Sequence, residues 1–370
     1  MGLKEYLLSE AEHLKVHGRT TGCLSPLTLF WTGSGIELNA KASELWVELE
    51  ADYEAHEPWI AVIINGVVVS RQMVTAGRKW LCIFKGMNHE AVKNIRIIKE
   101  TQALNEDPKS RLQIRAIRCD GDFLSVEDKP CKIEFIGDSI TSGEGSLGSK
   151  EEDDWIMMWF SAVNGYAHKT AERINADYRI LSQSGWGVYT SYDNNPNKNI
   201  PSCYEKVCGT LNGGMNQELG AFQAHDFEAW QPDVVVINLG TNDEGAFHNP
   251  MWVDELTGKT YKQRKNEDGS FNEEDLKAFE TAVTEFLIKL RKYNHKAYFI
   301  WAYGMLGDGI LPAIRRGVEA YQLKSGDEKV SVLVLPCATE ETFGARYHPG
   351  IISHEQAAKT LGDFIENILD

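Results

Sequence analysis

Ser139, Gly185, Asn242 and His348 are the residues whose types and surroundings could together do chemistry. Ser139 follows the apolar run Ile133–Ile136 and opens a glycine-rich turn that runs from Gly137 through Asp138, Gly143 and Glu144 to Gly145. A hydroxyl at the carboxyl end of a buried strand sits where open α/β sheets keep their ligand crevice. Such a serine is a nucleophile if a base and an oxyanion hole exist elsewhere in the chain, and a helix cap if they do not. Asp138 is expected to hold the turn through backbone hydrogen bonds. The Gly-x-Ser-x-Gly elbow of other serine hydrolases does not occur in the sequence.

Donors and a base follow at later strand ends. Gly185, within Ser182–Val188, allows close backbone approach, so its N–H can point into the crevice. Asn242 leaves the strand Val234–Leu239 with a side-chain amide donor, and Asp243 beside it is a candidate for substrate contact. The same two residues could instead form an Asx turn. His348 lies between the last strand and the final helix, with Pro349 fixing the backbone just beyond it. His354 and His168 fall in helical patterns and suit capping or packing, while His225 and His248 lie away from any useful strand end. His348 is therefore the candidate base.

Two kinds of pattern must position these residues. Between residues 20 and 127, short runs rich in Val, Ile, Trp and Phe predict strands at Leu27–Trp31, Gly35–Asn39, Ser43–Tyr53, Trp59–Ile64, Val67–Met73, Lys79–Phe84, Ile95–Glu100 and Leu112–Arg118. Asn65-Gly66 between two apolar runs predicts a tight hairpin. A β-sandwich of jelly-roll type is expected over residues 1–128. From Pro130 onward, strands alternate with helices, at Cys131–Ile136, Tyr178–Leu181, Val234–Leu239, Ala297–Trp301 and Val330–Leu335. These near-continuous apolar runs suit parallel strands buried on both faces. A helix is expected after the cap Asn272, and a last one over about His354–Leu369. A flavodoxin-like three-layer α/β/α domain is expected over residues 129–370. The polar insertion 245–272, with a turn at Thr257-Gly258, should overhang the crevice.

Composition bounds the partners. Lys+Arg 38 against Asp+Glu 54 gives a net charge of −16, which disfavours nucleic acid or an anionic membrane and accommodates a neutral ligand. The 7 cysteines are scattered, none forms CxxC, and Cys203/Cys208 lack zinc spacing. They are read as reduced thiols, and with no signal-like start or membrane-length apolar stretch a cytoplasmic location is expected. The oligomeric state is left open.

The segments Gly137–Thr141, Gly185, Gly240–Asp243 and His348-Pro349 resemble blocks I, II, III and V of the SGNH (GDSL-type) hydrolases. With a β-sandwich in front and Trp301–Gly307 behind, the chain resembles carbohydrate esterase family 2. That resemblance implies an acetylesterase removing O-acetyl groups from xylan- or mannan-type sugars without metal or organic cofactor. It implies Ser139 as nucleophile, His348 as base, and Ser139, Gly185 and Asn242 as the oxyanion hole. Trp186 and Trp301 then have two readings, sugar-stacking platforms or core packing. One departure stands out: the superfamily places Asp three residues before the His, and here that position is Ala345. Either a backbone carbonyl orients the imidazole, giving a Ser–His dyad, or a nearby acid such as Glu341 substitutes. The dyad is favoured, as in the family 2 enzymes. The rival readings are a carbohydrate-binding protein with a decayed esterase half, and a short-chain lipid or aryl esterase on the same fold.

Overall fold

Glu44–Asp52 alternates apolar and polar residues, and in the computed structural model, which describes residues 2–369, it forms a strand at the centre of an antiparallel sheet. The chain divides into two units, the first comprising residues 2–129, 154–163 and 205–225. Its strands in chain order are β1 (Lys4–Leu7), β2 (Lys15–His17), β3 (Leu27–Thr28), β4 (Gly35–Lys41), β5 (Glu44–Asp52), β6 (Trp59–Ile64), β7 (Val67–Met73), β8 (Gly77–Lys85), β9 (Val92–Lys99), β10 (Arg111–Cys119) and β11 (Asp122–Leu124). One sheet has the order β1-β10-β5-β8 with β3 on β10; the other has β11-β4-β9-β6-β7 with β2 on β4. Val47 and Leu49 of β5 and Ile114 of β10 share one apolar cluster with Ile36 of β4, Val62 of β6 and Ile97 of β9, so the two sheets form a sandwich. Asn65 (φ 51°) and Gly66 (φ 80°) make the turn between β6 and β7; both central residues are left-handed, which is why this dipeptide signals a hairpin.

Two stretches that the sequence pattern assigns to residues 129–370 pack in this first unit instead. The Trp31 indole N–H donates to the Val207 carbonyl at 2.8 Å, and Asn212 Nδ2 donates to the Asn105 carbonyl at 2.7 Å. Ala162 and Val163 pack with Ile63 and Ile98. Neither stretch has a period of its own that would reveal where it packs.

The second unit comprises residues 130–153, 164–204 and 226–369. Its parallel sheet is built from β12 (Cys131–Gly137), β13 (Ala176–Ser182), β14 (Val234–Asn238), β17 (Tyr298–Tyr303) and β18 (Val330–Val334), in the order β13-β12-β14-β17-β18. The order reverses about β12, which opens a crevice at its carboxyl end. The helices of the chain are α1 (Ser139–Ser142), α2 (Tyr166–Arg173), α3 (Gly214–Glu218, in the first unit), α4 (Thr241–His248), α5 (Glu273–Tyr293), α6 (Leu311–Ser325) and α7 (Ile351–Leu369). Ala167 and Ala171 of α2 and Ala357 and Leu361 of α7 pack with Phe135 and Ile180 of the sheet. On α5 the Asn272 side chain accepts from the N–H groups of Glu274 and Asp275, and Leu276, Phe279, Val283, Phe286, Leu287 and Leu290 form the buried stripe. Gly317 lets α6 lie on α5, since a Cβ there would meet Val283 Cβ at 2.8 Å.

Two details depart from expectation. The final helix starts at Ile351, which puts His354 inside its first turn, fully buried. The insertion begins as the end of α4 rather than as a loop, and continues as the hairpin of β15 (Trp252–Val253) and β16 (Thr260–Tyr261) with its turn ending at Gly258. Lys262 Nζ caps α4 by donating to the carbonyls of Ala246, Phe247 and Asn249, so the insertion is tied down at the helix's negative end. Among the described residues no helix is long and apolar enough to cross a membrane.

Candidate active site

Asp138 ends β12 and caps α1: its Oδ1 accepts from the Ile140 N–H at 3.0 Å. Only glycine fits before it, because a Cβ at Gly137 would lie 2.0 Å from Thr141 Oγ1. The turn is fastened to β13 by Ser142 Oγ, which donates to Ser182 Oγ at 2.8 Å. Ser139 is thereby held at the mouth of the switch point, with its Oγ 2.9 Å from His348 Nε2.

The donor residues converge on the same place. Asn242 Nδ2 donates to Asp138 Oδ2 at 3.0 Å and to the Trp186 carbonyl at 3.1 Å. One amide thus links the ends of β12, β13 and β14, beside Ser139 on one side and Gly185 on the other. Gly185 has φ 79°, and its carbonyl accepts from the Tyr192 N–H. Among the described residues no carbonyl takes the backbone N–H of Ser139 or of Gly185, which leaves both available to an oxyanion. Both hydrogens of the Asn242 amide, in contrast, already have acceptors.

His348 comes from the loop after β18, an edge strand of the sheet. It reaches Ser139 because α7, which follows it, packs on α2, which lies over β12 and β13. Its Nδ1 lies 3.0 Å from the Arg346 carbonyl, so Nδ1 carries the hydrogen and Nε2 is left to accept from Ser139 Oγ. Arg346 is left-handed (φ 57°, ψ 31°), the conformation that turns its carbonyl towards the ring. Ala345 is fully buried and its N–H donates to the Gly145 carbonyl at 2.9 Å. Glu341 is exposed and among the described residues accepts only from Thr339 Oγ1, at 3.4 Å, so the carbonyl and not this acid orients the ring. Gly145 is required by the closeness of this loop: a Cβ there would meet the Ala345 carbonyl oxygen at 2.3 Å and His348 Cβ at 2.7 Å.

Buried carboxyls surround the turn. Burial pushes Asp138 up to about 7, reinforced by the charges of Asp243 and Glu144 and opposed by the Ile140 N–H. Burial likewise pushes Asp243 up to about 6 against the pull of three backbone N–H groups. Those groups, from Val188, Tyr189 and Thr190, lie at 2.9, 2.8 and 3.0 Å. The expectation that Asp243 meets substrate is therefore corrected: it is a buried strut for the loop after Gly185. Glu144 is buried as well, with Oε1 3.2 Å from Arg346 Nε and 3.8 Å from His348 Nε2, and it accepts from Ser184 Oγ at 2.5 Å.

The aromatic residues also need correction. Trp301 is 0% exposed and its indole N–H donates to the Leu239 carbonyl at 3.0 Å, so it is a core residue that no sugar can reach. Trp186, 7% exposed, offers at most an edge. The exposed rings are instead Tyr192, 52%, whose ring would lie 3.1 Å from a Cβ at Gly185, and Tyr347, 60%, next to His348. Tyr347 is signalled in the sequence only by its place next to His348, and Tyr192, well past Gly185, carries no signal.

A serine bonded to a correctly oriented histidine, with two free N–H groups at the switch point of a flavodoxin-like sheet, defines a serine-type ester hydrolase site. The model of the GDSL-like lipase/acylhydrolase family matches residues 133–350, and the chain belongs to that family. Within it, the chain is 45% identical to an acetyl xylan esterase from the rumen bacterium Butyrivibrio proteoclasticus, with a TM-score of 0.98 over 100% of this chain and 99% of that one. A family two carbohydrate esterase from Clostridium thermocellum, solved in complex with cellohexaose, is 25% identical with a TM-score of 0.78, covering 96% and 99%. A cellulase/esterase of Acetivibrio thermocellus is 27% identical over 92% of this chain, which spans 37% of that relative's length.

Proposed function

We propose that the chain is a carbohydrate O-acetylesterase that deacetylates xylan- or mannan-type saccharides by a Ser139–His348 mechanism. The observation that carries this is the 2.9 Å contact of Ser139 Oγ with His348 Nε2, in a ring whose Nδ1 is fixed by a carbonyl. The likeness to an acetyl xylan esterase along the whole chain supports the choice of ester.

His348 Nε2 takes the Ser139 proton as Oγ bonds to the acetyl carbonyl carbon. The carbonyl oxygen becomes an oxyanion against the N–H groups of Ser139 and Gly185, with Asn242 sharing one of the hydrogens it now gives to Asp138 and Trp186. The carbon–oxygen bond to the sugar then breaks, and His348 returns the proton to the sugar oxygen. A water molecule attacks the acetyl-serine while passing its proton to His348; Ser139 leaves with that proton and acetate departs. Tyr192 and Tyr347 replace the tryptophans as sugar platforms, because they are the exposed rings beside the hole and the base. The 7 cysteines are scattered along the chain and none forms CxxC, which fits a reducing, cytoplasmic setting and short oligosaccharides as substrates.

The test is acetate release from acetylated xylo- and manno-oligosaccharides, followed by NMR to read which positions lose acetyl. Ser139→Ala and His348→Ala should each lower kcat by about 10⁴-fold or more. Full turnover by Ser139→Ala would sink the mechanism, and faster hydrolysis of long-chain acyl esters than of acetate would sink the substrate class.

A further inference from the structure

We infer that Glu144 is a positioning residue for the base, holding Arg346 so that its carbonyl orients His348 and offsetting the guanidinium charge beside the imidazole. The inference rests on the proposed Ser139–His348 reading and deepens it. No carboxylate precedes the histidine in the usual place, yet a buried one reaches it from the nucleophile's own turn.

The geometry has three parts. First, Gly143 (φ 72°) and Gly145 (φ 74°) are both left-handed, and the Glu144 N–H donates to the Ser139 carbonyl at 3.0 Å. This sharp turn aims the Glu144 side chain at the 345–348 loop rather than at solvent. Second, Arg346 and Tyr347 (φ 53°) are consecutive non-glycine residues in the left-handed region, an arrangement that L side chains disfavour. Arg346 is kept there by tethers on three sides. Its N–H donates to the Glu152 carbonyl at 2.8 Å, its Nη1 to the Asp153 carbonyl at 2.7 Å, and its Nε to Glu144 Oε1 at 3.2 Å. Third, the same Oε1 lies 3.8 Å from His348 Nε2, the nitrogen that receives the serine proton.

A cation beside an imidazole disfavours the imidazolium and an anion favours it. Arg346 brings the first and Glu144 the second; the carboxylate stands 3.2 Å from Arg346 Nε and 3.8 Å from His348 Nε2, so removing either partner changes the charge the ring faces. Nearby among the described residues, Asp138 precedes Ser139 and is pushed up to about 7 by burial, and His354 of α7 interacts with the His348 charge. Burial pushes His354 down to about 3, aided by the charges of Lys169 and His348, so it stays neutral over the working range. Asp243 faces Asp138 from α4 and is occupied by its three N–H donors.

The experiment is the pH profile of kcat/KM on a nitrophenyl acetate for Glu144→Gln, Glu144→Asp and Arg346→Asn, with Ser139→Ala as reference. Asn tolerates the left-handed conformation at 346 and removes the charge together with the two side-chain tethers, leaving the backbone one to Glu152. Glu144→Gln should lower kcat by about 10- to 100-fold and move the acid limb about one unit to lower pH, because the guanidinium is left uncompensated. Arg346→Asn should move the same limb to higher pH, and Glu144→Asp should hold it near the wild-type midpoint. A partly unfolded variant loses amplitude but not midpoint, so the limb reads charge and not folding. Limbs that stay put in both neutral variants, or move the same way, overturn the inference while a dead Ser139→Ala leaves the mechanism standing. Surviving turnover in Ser139→Ala would overturn both.

Discussion

His348 donates its Nδ1 hydrogen to the backbone carbonyl of Arg346 at 3.0 Å. A carbonyl fixes the tautomer as well as an aspartate would, but offers the imidazolium a partial charge in place of a full one. The position where the wider family puts the acid, Ala345, is fully buried and engaged through its backbone with Gly145.

Restoring the familiar residue should therefore fail. Ala345→Asp places a carboxylate where the wall is already packed and where the Arg346 carbonyl already fills the acceptor position. It should lower stability by about 2 kcal/mol or more and leave kcat no higher than wild type. Denaturant unfolding and steady-state kinetics on the same preparation check both halves; a gain in kcat would contradict this account.

Asn242→Ala removes the proposed oxyanion donor together with the link among three strand ends. Loss of such a donor costs about 10²–10³ in kcat. KM should change far less, because the loss falls on the transition state. A change in KM alone, at unaltered kcat, would assign Asn242 to substrate binding.

Asp243→Asn separates a strut from a substrate ligand. The variant replaces one acceptor oxygen by a donor opposite backbone N–H groups and weakens hydrogen bonds to a charged group, each worth about 1.5–3 kcal/mol. The expected outcome is a marked drop in Tm with KM close to wild type. Full stability with a raised KM would return Asp243 to the substrate.

Tyr192→Ala and Tyr347→Ala should raise KM for acetylated oligosaccharides by about 2- to 10-fold each, the size of one aromatic contact. A nitrophenyl acetate, which has no sugar to stack, should be turned over nearly as before. Trp301→Phe should leave both KM values alone and show itself only in stability.

His354 makes the fold sensitive to acid. Its buried ring is held neutral, with Nδ1 accepting from the Tyr166 N–H at 3.2 Å, and its pKa is pushed down to about 3. The unfolded chain binds a proton there below about 6.5 while the folded chain does not, so stability falls as pH drops from about 6.5 towards 3. Each unit of that window is worth about 1.4 kcal/mol at most. In His354→Gln this contribution disappears: the Tm advantage of wild type should shrink steadily through the window. A constant difference would show that the ring is not held neutral.

Trp59–Ile64 and Val67–Met73 form as strands over the same residues that the sequence pattern marks, because Asn65-Gly66 and the apolar runs are local signals. The short strands Lys4–Leu7, Lys15–His17 and Asp122–Leu124 are not legible, since each is held by pairing with a longer strand and not by its own pattern. Trp186 and Trp301 show the same limit at the site. A tryptophan after an apolar run is equally compatible with a crevice wall and a core, and only the surrounding packing settles its exposure.

What the sequence by itself determined was the order of strands and the residue standing at each strand end: Ser139, Gly185, Asn242 and His348. Those signals are local, being an apolar run followed by a residue type. Tertiary structure alone decided what holds His348, because its partner is not a side chain but the carbonyl of Arg346, aimed by a left-handed backbone. It also decided that Glu144, 202 residues before Arg346, lies against that loop, and that tyrosines rather than tryptophans face outward. Backbone direction, solvent exposure and contacts across such separations arise from how the elements pack together, and no residue type or spacing encodes them singly.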